Sequence, residues 1–233
     1  MDIIFSEGIR LVPIFVGVLA LVFVPFISKV AEWFVTLIHE LGHGLVTLPF
    51  GGRLGGIHLE SDGSGSTNMQ YRGGIFYKPV RILSLLMGYA FPVYLGLALL
   101  IIAYYRNAVL GGWILGVIGI ILLFSIRNLF GLFIVLAYEV LFVLFFWTGM
   151  ATDSTLGYIL FAGFLFTIRG LIDIVMVGIM VFSDDPEDDS TDFHLLEEEA
   201  IFVPQFWYIY FIISHTITLS LFFTHFFPLT LSF

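Results

Sequence analysis

Long apolar runs follow one another along most of this 233-residue chain, and they constrain its fold more than any other feature. Residues 113–147 alone form 35 mostly apolar positions, whereas one ordinary membrane-spanning helix needs about 20. Ser125–Asn128 interrupts this run, so we expect two shorter helices there. Hydrophobic residues make up 59% of the chain and charged residues only 12%, a balance that soluble domains of this size do not have. The sequence therefore predicts an all-α, polytopic membrane protein.

We predict about seven transmembrane helices, with a small β-hairpin-like loop after the second. A Gly-, Ser- and Asn-rich segment, residues 51–77, has alternating stretches that predict this hairpin, with its turn at Asp62-Gly63-Ser64-Gly65. An acidic loop, residues 183–201, separates the last two spans. No internal repeat is visible, so we expect one domain over residues 1–233. The predicted spans are Ile9–Ile27, Val30–Leu48, Pro79–Tyr104, two helices within Trp113–Trp147, Tyr158–Phe182 and Val203–Phe226.

The charged residues limit the class of partner that this protein can have. The net charge of −9 is mostly local, because residues 184–199 hold nine of the eighteen acidic residues, and no basic patch suggests nucleic acid. Most Lys and Arg residues fall on the side of the predicted spans that holds the N-terminus. The positive-inside rule therefore places the N-terminus, the Gly-rich loop and the acidic loop in the cytoplasm. The chain has no Cys, so a zinc site would need His, Asp or Glu ligands.

A His-Glu-x-x-His motif, residues 39–43, lies within the second predicted span. On a helix, residues four apart share a face, so His39 and His43 can reach one metal ion while Glu40 stays close. Soluble metalloproteases use this pattern to bind zinc and activate water. Because the flanking residues are those of a membrane span, the motif indicates hydrolysis within the membrane. The structural alternative is a polar helix face that pairs with neighbouring spans.

Catalytic zinc usually has three protein ligands and one water, so the motif leaves a third ligand to find. We expect Glu40 to exchange protons with water and substrate instead of binding the metal. Asp192 is the first candidate; its position before a helix predicted to start near Phe193 is also that of an N-cap. Asp173 is the second candidate, but an intramembrane Asp needs a partner, and Arg169 lies one helical turn before it.

The remaining candidates rank behind these two. Asp62 belongs to the predicted hairpin turn, Asp184 lies in the acidic loop, and Glu139 is isolated in the fifth predicted span. His194 and His215 could also contribute, although a lone histidine on an apolar helix more often makes a hydrogen bond.

Several stretches of the chain resemble the site-2 protease family of intramembrane zinc metallopeptidases, and specifically its compact B-like branch. Between about Ile38 and Tyr208, the matching stretches are HELGHGLVTLPFGGRLGGIHLESDGSGST, RGG with RILSLLMGYAFPVYLG, SIRNLFGLF, and, more weakly, TIRGLIDIV followed by TDFHLLEEEAIFVPQFW. The resemblance implies zinc held by His39 and His43, with Glu40 as catalytic base. It also implies a strand-like loop that guides an unwound substrate by pairing with its backbone.

The chain departs from this family's usual pattern at the third ligand. Well-studied members supply it from an Asp-Gly pair in a later span, whereas the only such pair here is Asp62-Gly63, in the predicted hairpin. The B-like branch typically has Ser-Asp late in the chain, and Thr191-Asp192 resembles that dipeptide. The resemblance thus supports Asp192.

Three functions are consistent with the sequence. The first is an intramembrane endopeptidase that acts, in the lipid bilayer, on a membrane-protein substrate with a transmembrane segment. The second is a non-proteolytic membrane scaffold or assembly factor that keeps zinc structurally. A metal transporter ranks last, because the chain shows neither repeated halves nor a second polar cluster along an ion path.

Overall fold

The computed structural model describes residues 11–71, 73–147, 153–183, 191–199 and 202–226. Within these ranges the chain forms eight α-helices and one two-stranded antiparallel sheet. The helices are α1 Leu11–Phe23, α2 Pro25–Thr47, α3 Tyr77–Tyr104, α4 Ala108–Ser125, α5 Leu129–Trp147, α6 Asp153–Val181, α7 Asp192–Glu199 and α8 Pro204–Phe226. The mostly helical prediction is confirmed. The chain divides into two compact units, Met1–Ile174 and Val175–Phe233, and the single domain stays a prediction.

Three described helices are long and apolar enough to cross a membrane: Tyr77–Tyr104, Ala108–Ser125 and Ser154–Val181. The number rises to five if each of two sharply bent helix pairs is one span. Helix α2 does not qualify by itself, because the polar residues of the His-Glu-x-x-His motif interrupt its apolar sequence. Several long apolar helices thus agree with a multi-pass membrane protein, while the number seven stays a prediction.

The first predicted span ends earlier than expected. Helix α1 ends at Phe23, and Pro25 begins α2 instead of extending α1 to Ile27. Proline lacks the backbone N–H that a helix interior needs, but its fixed φ suits the first turn of a helix. The break therefore lies at Val24, which has an extended backbone.

The predicted hairpin is confirmed, with strands β1, Arg53–Leu59, and β2, Gly65–Gln70, in antiparallel register. Its turn lies at Asp62 and Gly63, where Gly63 adopts a positive φ of 96°. The Asp62 Oδ1 atom accepts hydrogen bonds from the backbone N–H and the hydroxyl of Ser64, at 2.9 and 2.7 Å. These bonds lower the pKa of the Asp62 carboxyl, because they favour its ionised form.

The segment between α4 and α5 occupies the outer edge of β1. The backbone N–H of Arg127 donates to the carbonyl of Ile57 at 2.9 Å. The Asn128 side chain acts as a substitute peptide group: its Oδ1 accepts from the Leu59 N–H at 3.2 Å, and its Nδ2 donates to the Leu59 carbonyl at 2.7 Å. The predicted break at residues 125–128 is confirmed, since α4 ends at Ser125 and α5 begins at Leu129.

Glycines let α4 and α5 approach each other closely. A Cβ at Gly112 would lie 2.0 Å from the Phe146 ring, and one at Gly116 would lie 3.1 Å from the Phe142 ring. The two phenylalanine rings stack, with centroids 5.2 Å apart. Aromatic side chains of α5 therefore fill the space that small residues leave on α4.

In the second unit, α7 and α8 share an aromatic core. The buried Phe193 of α7 makes edge contacts with Tyr208 and Phe211 of α8, with ring centroids 5.6 and 5.7 Å apart. Leu196 is fully buried on the same short helix. This packing fixes α7, whose first residue is Asp192, within its unit.

Candidate metal centre

Both histidines of the His-Glu-x-x-His motif lie on one face of α2. The Nε2 atoms of His39 and His43 are 3.0 Å apart, and the two rings meet edge to face at 80°. His43 and Glu40 are buried, with 4% and 6% of their surface exposed. The predicted convergence of the two imidazoles is confirmed.

Contacts with α3 fix the orientation of the second imidazole. The Nδ1 atom of His43 lies 2.8 Å from the backbone carbonyl oxygen of Ser84. A carbonyl only accepts, so Nδ1 carries the hydrogen and Nε2 keeps its lone pair for a metal. The Ser84 hydroxyl in turn donates to the His43 carbonyl at 2.8 Å. The fully buried Ser84 therefore contacts both the imidazole and the backbone of His43.

The imidazole pair has dimensions that suit zinc. Two nitrogen ligands at the usual zinc distance and a tetrahedral angle lie about 3.3 Å apart, by simple geometry. The observed separation of 3.0 Å is close to that value. Imidazole nitrogen is also a common zinc ligand, so the chemistry of the two donors fits the ion as well as their spacing does.

A glycine of α3 makes room for both rings. A Cβ added at Gly88 would lie 2.4 Å from Cε1 and 2.5 Å from Nε2 of His43, and 2.8 Å from Cε1 of His39. Real side-chain atoms do not approach this closely, so the backbone of α3 can lie against the imidazoles only because position 88 has no side chain. The next residue, Tyr89, contacts His39 edge to face, with ring centroids 4.6 Å apart.

The carboxylate of Glu40 lies against β2. The Thr67 hydroxyl donates to Glu40 Oε2 at 2.6 Å and also lies 3.1 Å from the Glu40 carbonyl oxygen. A Cβ at Gly65 would lie 2.7 Å from Glu40 Oε1. Sequence reasoning did not identify Thr67 or Gly65 as neighbours of the motif, since nothing local in the chain links them to Glu40.

Asp192 is the first residue of α7, and its interpretation as an N-cap is wrong. The Thr191 carbonyl accepts the N–H groups of His194 and Leu195, at 3.0 and 3.2 Å, so Thr191 holds the N-cap position. Asp192 belongs to the second unit, whereas both histidines belong to the first, so its role as third ligand stays a prediction.

Asp173 pairs with Arg169, as the structural interpretation predicted. Its Oδ1 atom lies 2.8 Å from Arg169 Nη2, and the same guanidinium nitrogen lies 4.0 Å from a carboxylate oxygen of Glu32. The ion pair satisfies an acid that would be costly to bury alone in a membrane. Of the other acidic candidates, Asp62 lies in the hairpin turn, and Asp184 falls outside the described residues.

The two further histidines make hydrogen bonds within their own helical segments. His194 Nδ1 lies 2.8 Å from the Thr191 hydroxyl, and His215 Nδ1 lies 2.9 Å from the Phe211 carbonyl. The expectation that a lone histidine makes a hydrogen bond is confirmed for both. Glu139 faces the close α4–α5 contact, where a Cβ at Gly119 would meet its Oε1 atom.

A comparison with known protein families matches most of the chain. Residues 12–222, which are most of the chain, match the family described as Peptidase M50B-like. No curated protein and no solved structure matches the chain. The matched range includes α2, the hairpin and α7.

Proposed function

Because the chain belongs to the Peptidase M50B-like family, whose members are related to site-2 proteases, we propose that it is an intramembrane zinc metalloprotease. Membership of this family implies a metallopeptidase. The proposed reaction is hydrolysis of peptide bonds in or near transmembrane segments of other membrane proteins. One observation carries the proposal: two imidazoles with Nε2 atoms 3.0 Å apart lie beside a buried glutamate on α2.

We assign the metal ligands to His39, His43 and Asp192. The tautomer of His43 supports this assignment, since its Nδ1 atom faces a carbonyl and leaves Nε2 for the ion. The Thr191-Asp192 dipeptide, which resembles the late Ser-Asp of the B-like branch, supports Asp192 as the anionic ligand that would complete a set of three. When bound, zinc would act as a Lewis acid that polarises the peptide carbonyl and lowers the pKa of the attacking water to about 7.

Glu40 is the proposed proton carrier. Its carboxylate takes one proton from the attacking water while the water oxygen forms a bond to the carbonyl carbon. Glu40 then returns this proton to the amine nitrogen as the C–N bond breaks. The carboxylate ends unchanged, and one water is consumed for each peptide bond. The close neighbours of Glu40 on β2 support this role, because they restrict the carboxylate to one position.

We propose that an extended substrate segment pairs with the outer edge of β2. The outer edge of β1 already bonds to Arg127 and Asn128, so β2 is the strand whose edge can accept an added strand. Thr67 of β2 contacts the carboxylate of Glu40, so a substrate on this strand would run beside the proposed base. The partners are therefore a membrane protein with a transmembrane segment and the surrounding bilayer. The positive-inside rule supports a cytoplasmic N-terminus.

The proposal is tested with Glu40→Gln and a single-span reporter membrane protein as substrate. We expect the variant to bind as much zinc as wild type, because Glu40 is not a ligand. Cleavage should fall by about 100- to 10,000-fold, the usual contribution of general acid–base catalysis. Glu60→Gln is the matched control, since Glu60 is an exposed glutamate beside the hairpin turn.

The results of these experiments distinguish the protease from the scaffold and the transporter. Cleavage by Glu40→Gln at the wild-type rate would contradict the proposed mechanism. Zinc binding without cleavage by any form of the protein would favour the non-proteolytic scaffold. Zinc flux into liposomes that contain the purified protein would instead favour the transporter.

A further inference from the structure

The two oxygens of the Glu40 carboxylate have different neighbours on β2. The Thr67 hydroxyl lies 2.6 Å from Oε2, whereas the backbone of Gly65 lies against Oε1. Positions 65 and 67 are two apart on a strand, so both point to the same face of the hairpin. Residues on one face of β2 therefore contact both oxygens of the Glu40 carboxylate.

The contact with Thr67 is a strong hydrogen bond by its chemistry. An ionised carboxylate only accepts, so the hydroxyl must be the donor. Charge-assisted O–H···O⁻ bonds are typically about 2.5–2.7 Å long, and the observed distance is 2.6 Å. Threonine is branched at Cβ, which restricts its χ1 angle and keeps the hydroxyl in place.

The opposite oxygen is restricted by shape. A Cβ at Gly65 would lie 2.7 Å from Glu40 Oε1 and 2.6 Å from Thr36 Cγ2. Any larger residue at position 65 would push the carboxylate away from β2. The absence of a side chain at Gly65 is thus what lets the strand approach the carboxylate.

Helix α2 itself fixes the hairpin in this position. Side chains at positions 29, 33 and 36 share a helix face with position 40, because these spacings follow the helical period. Each donates a hydrogen bond to a carbonyl of the hairpin turn: Lys29 to Asp62, Trp33 to Ser61, and Thr36 to Gly63. The strand that contacts Glu40 is therefore tied to the helix that carries Glu40.

We propose that Thr67 is a positioning residue, whose hydroxyl holds the Glu40 carboxylate in the orientation that proton transfer needs. The inference rests on the proposed function, since it assigns a role in the same hydrolysis. Strand β2 then has two roles in this protein: its outer edge pairs with the substrate, and its inner face orients the Glu40 carboxylate.

The test compares Thr67→Val with Thr67→Ser. Valine keeps the branched shape but lacks the hydroxyl, so kcat should fall by about 10- to 100-fold, the range for a hydrogen bond to a charged group. KM and zinc content should stay at wild-type values. Serine keeps the hydroxyl and should retain most of the activity. Thr218→Val is the matched control and should leave kcat unchanged, because Thr218 is an exposed threonine of α8 whose hydroxyl bonds within its own helix.

A second measurement does not depend on activity or on folding of the valine variant. The chain has no cysteine, so paired cysteines can be introduced without background. The double variant with Glu40→Cys and Thr67→Cys should form a disulfide under mild oxidation. The matched pair, Glu40→Cys with Ser66→Cys, should not, because neighbouring strand residues point to opposite faces.

The outcomes for Thr67 and for Glu40 are distinguishable. Wild-type kcat for Thr67→Val, together with inactive Glu40→Gln, would overturn the positioning role and leave the proposed function standing. A cross-link in the Ser66 pair but not in the Thr67 pair would also overturn it. Wild-type activity of Glu40→Gln would overturn the proposed function itself.

Discussion

The α2–hairpin region and the α4–α5 pair belong to the same helical unit, yet different forces order them. In the α2–hairpin region, hydrogen bonds to specific atoms set the positions of His43 and Glu40. In the α4–α5 pair, aromatic rings fill the space beside Gly112 and Gly116. This packing, with a hydrogen bond from the Tyr138 hydroxyl to the Leu115 carbonyl at 3.3 Å, holds two apolar helices together, but it does not select a tautomer or orient a carboxylate. The polar contacts are concentrated where the chemistry needs a defined atom in a defined place.

A glycine substitution beside the imidazole pair and one in the α4–α5 pair should have different consequences, and this is the largest difference that we expect between the two regions. Gly88→Ala places a methyl group within 2.8 Å of both imidazoles, so they must move apart or turn. We expect zinc affinity to fall by at least about 10- to 100-fold, the usual loss when the support of metal ligands is disturbed. Chelator competition on the purified protein measures this loss.

Gly116→Ala is the matched control for that experiment. Its methyl group would lie 3.1 Å from the Phe142 ring, which can shift slightly, and alanine favours the helix more than glycine does. Zinc affinity should therefore not change. Equal zinc affinity for Gly88→Ala and wild type would show that α3 does not constrain the imidazoles.

A second pair of variants tests the loop that joins the two regions. Asn128→Asp removes the donor that bonds to the Leu59 carbonyl and brings a carboxylate towards it. We expect the free energy of unfolding to fall by about 1–3 kcal/mol, the cost of leaving a buried polar group unsatisfied. Thermal unfolding in detergent gives the stability, and hydrogen exchange at the Leu59 amide shows whether β1 loosens first.

Asn107→Asp provides the comparison within the helical pair. Asn107 caps α4 through its side-chain oxygen, which accepts from the Leu110 N–H at 3.1 Å. Aspartate keeps this acceptor and suits a helix N-terminus, so stability should hardly change. Equal losses for the two variants would mean that the bidentate contact at β1 contributes nothing of its own.

Interactions between near neighbours in the chain were predictable from the sequence. The histidine pair is four residues apart, and so is the pair formed by Arg169 and Asp173. Helical periodicity is enough to predict both. The hairpin turn at Asp62-Gly63 also follows from local backbone preferences.

The contacts that orient the site were not predictable in this way. Thr67 and Glu40 are 27 positions apart, and Ser84 and His43 are 41 apart. Asn128 reaches across 69 positions to β1. Nothing in a single sequence links this threonine, serine or asparagine to its distant partner, because each pair is brought together only when the helices and strands pack. Gly88 gives no local signal either, since its role depends on the two rings beside it.

We propose that His39, His43 and Asp192 hold one zinc ion, and the zinc content of the purified protein measures this without a substrate. We predict about one zinc per wild-type chain, with strong loss in Asp192→Asn, because a neutral amide replaces the anionic ligand. Asp173→Asn is the matched control, since Asp173 pairs with Arg169, and it should keep its zinc. Full zinc content in Asp192→Asn, or no zinc in the wild type, would overturn this ligand set.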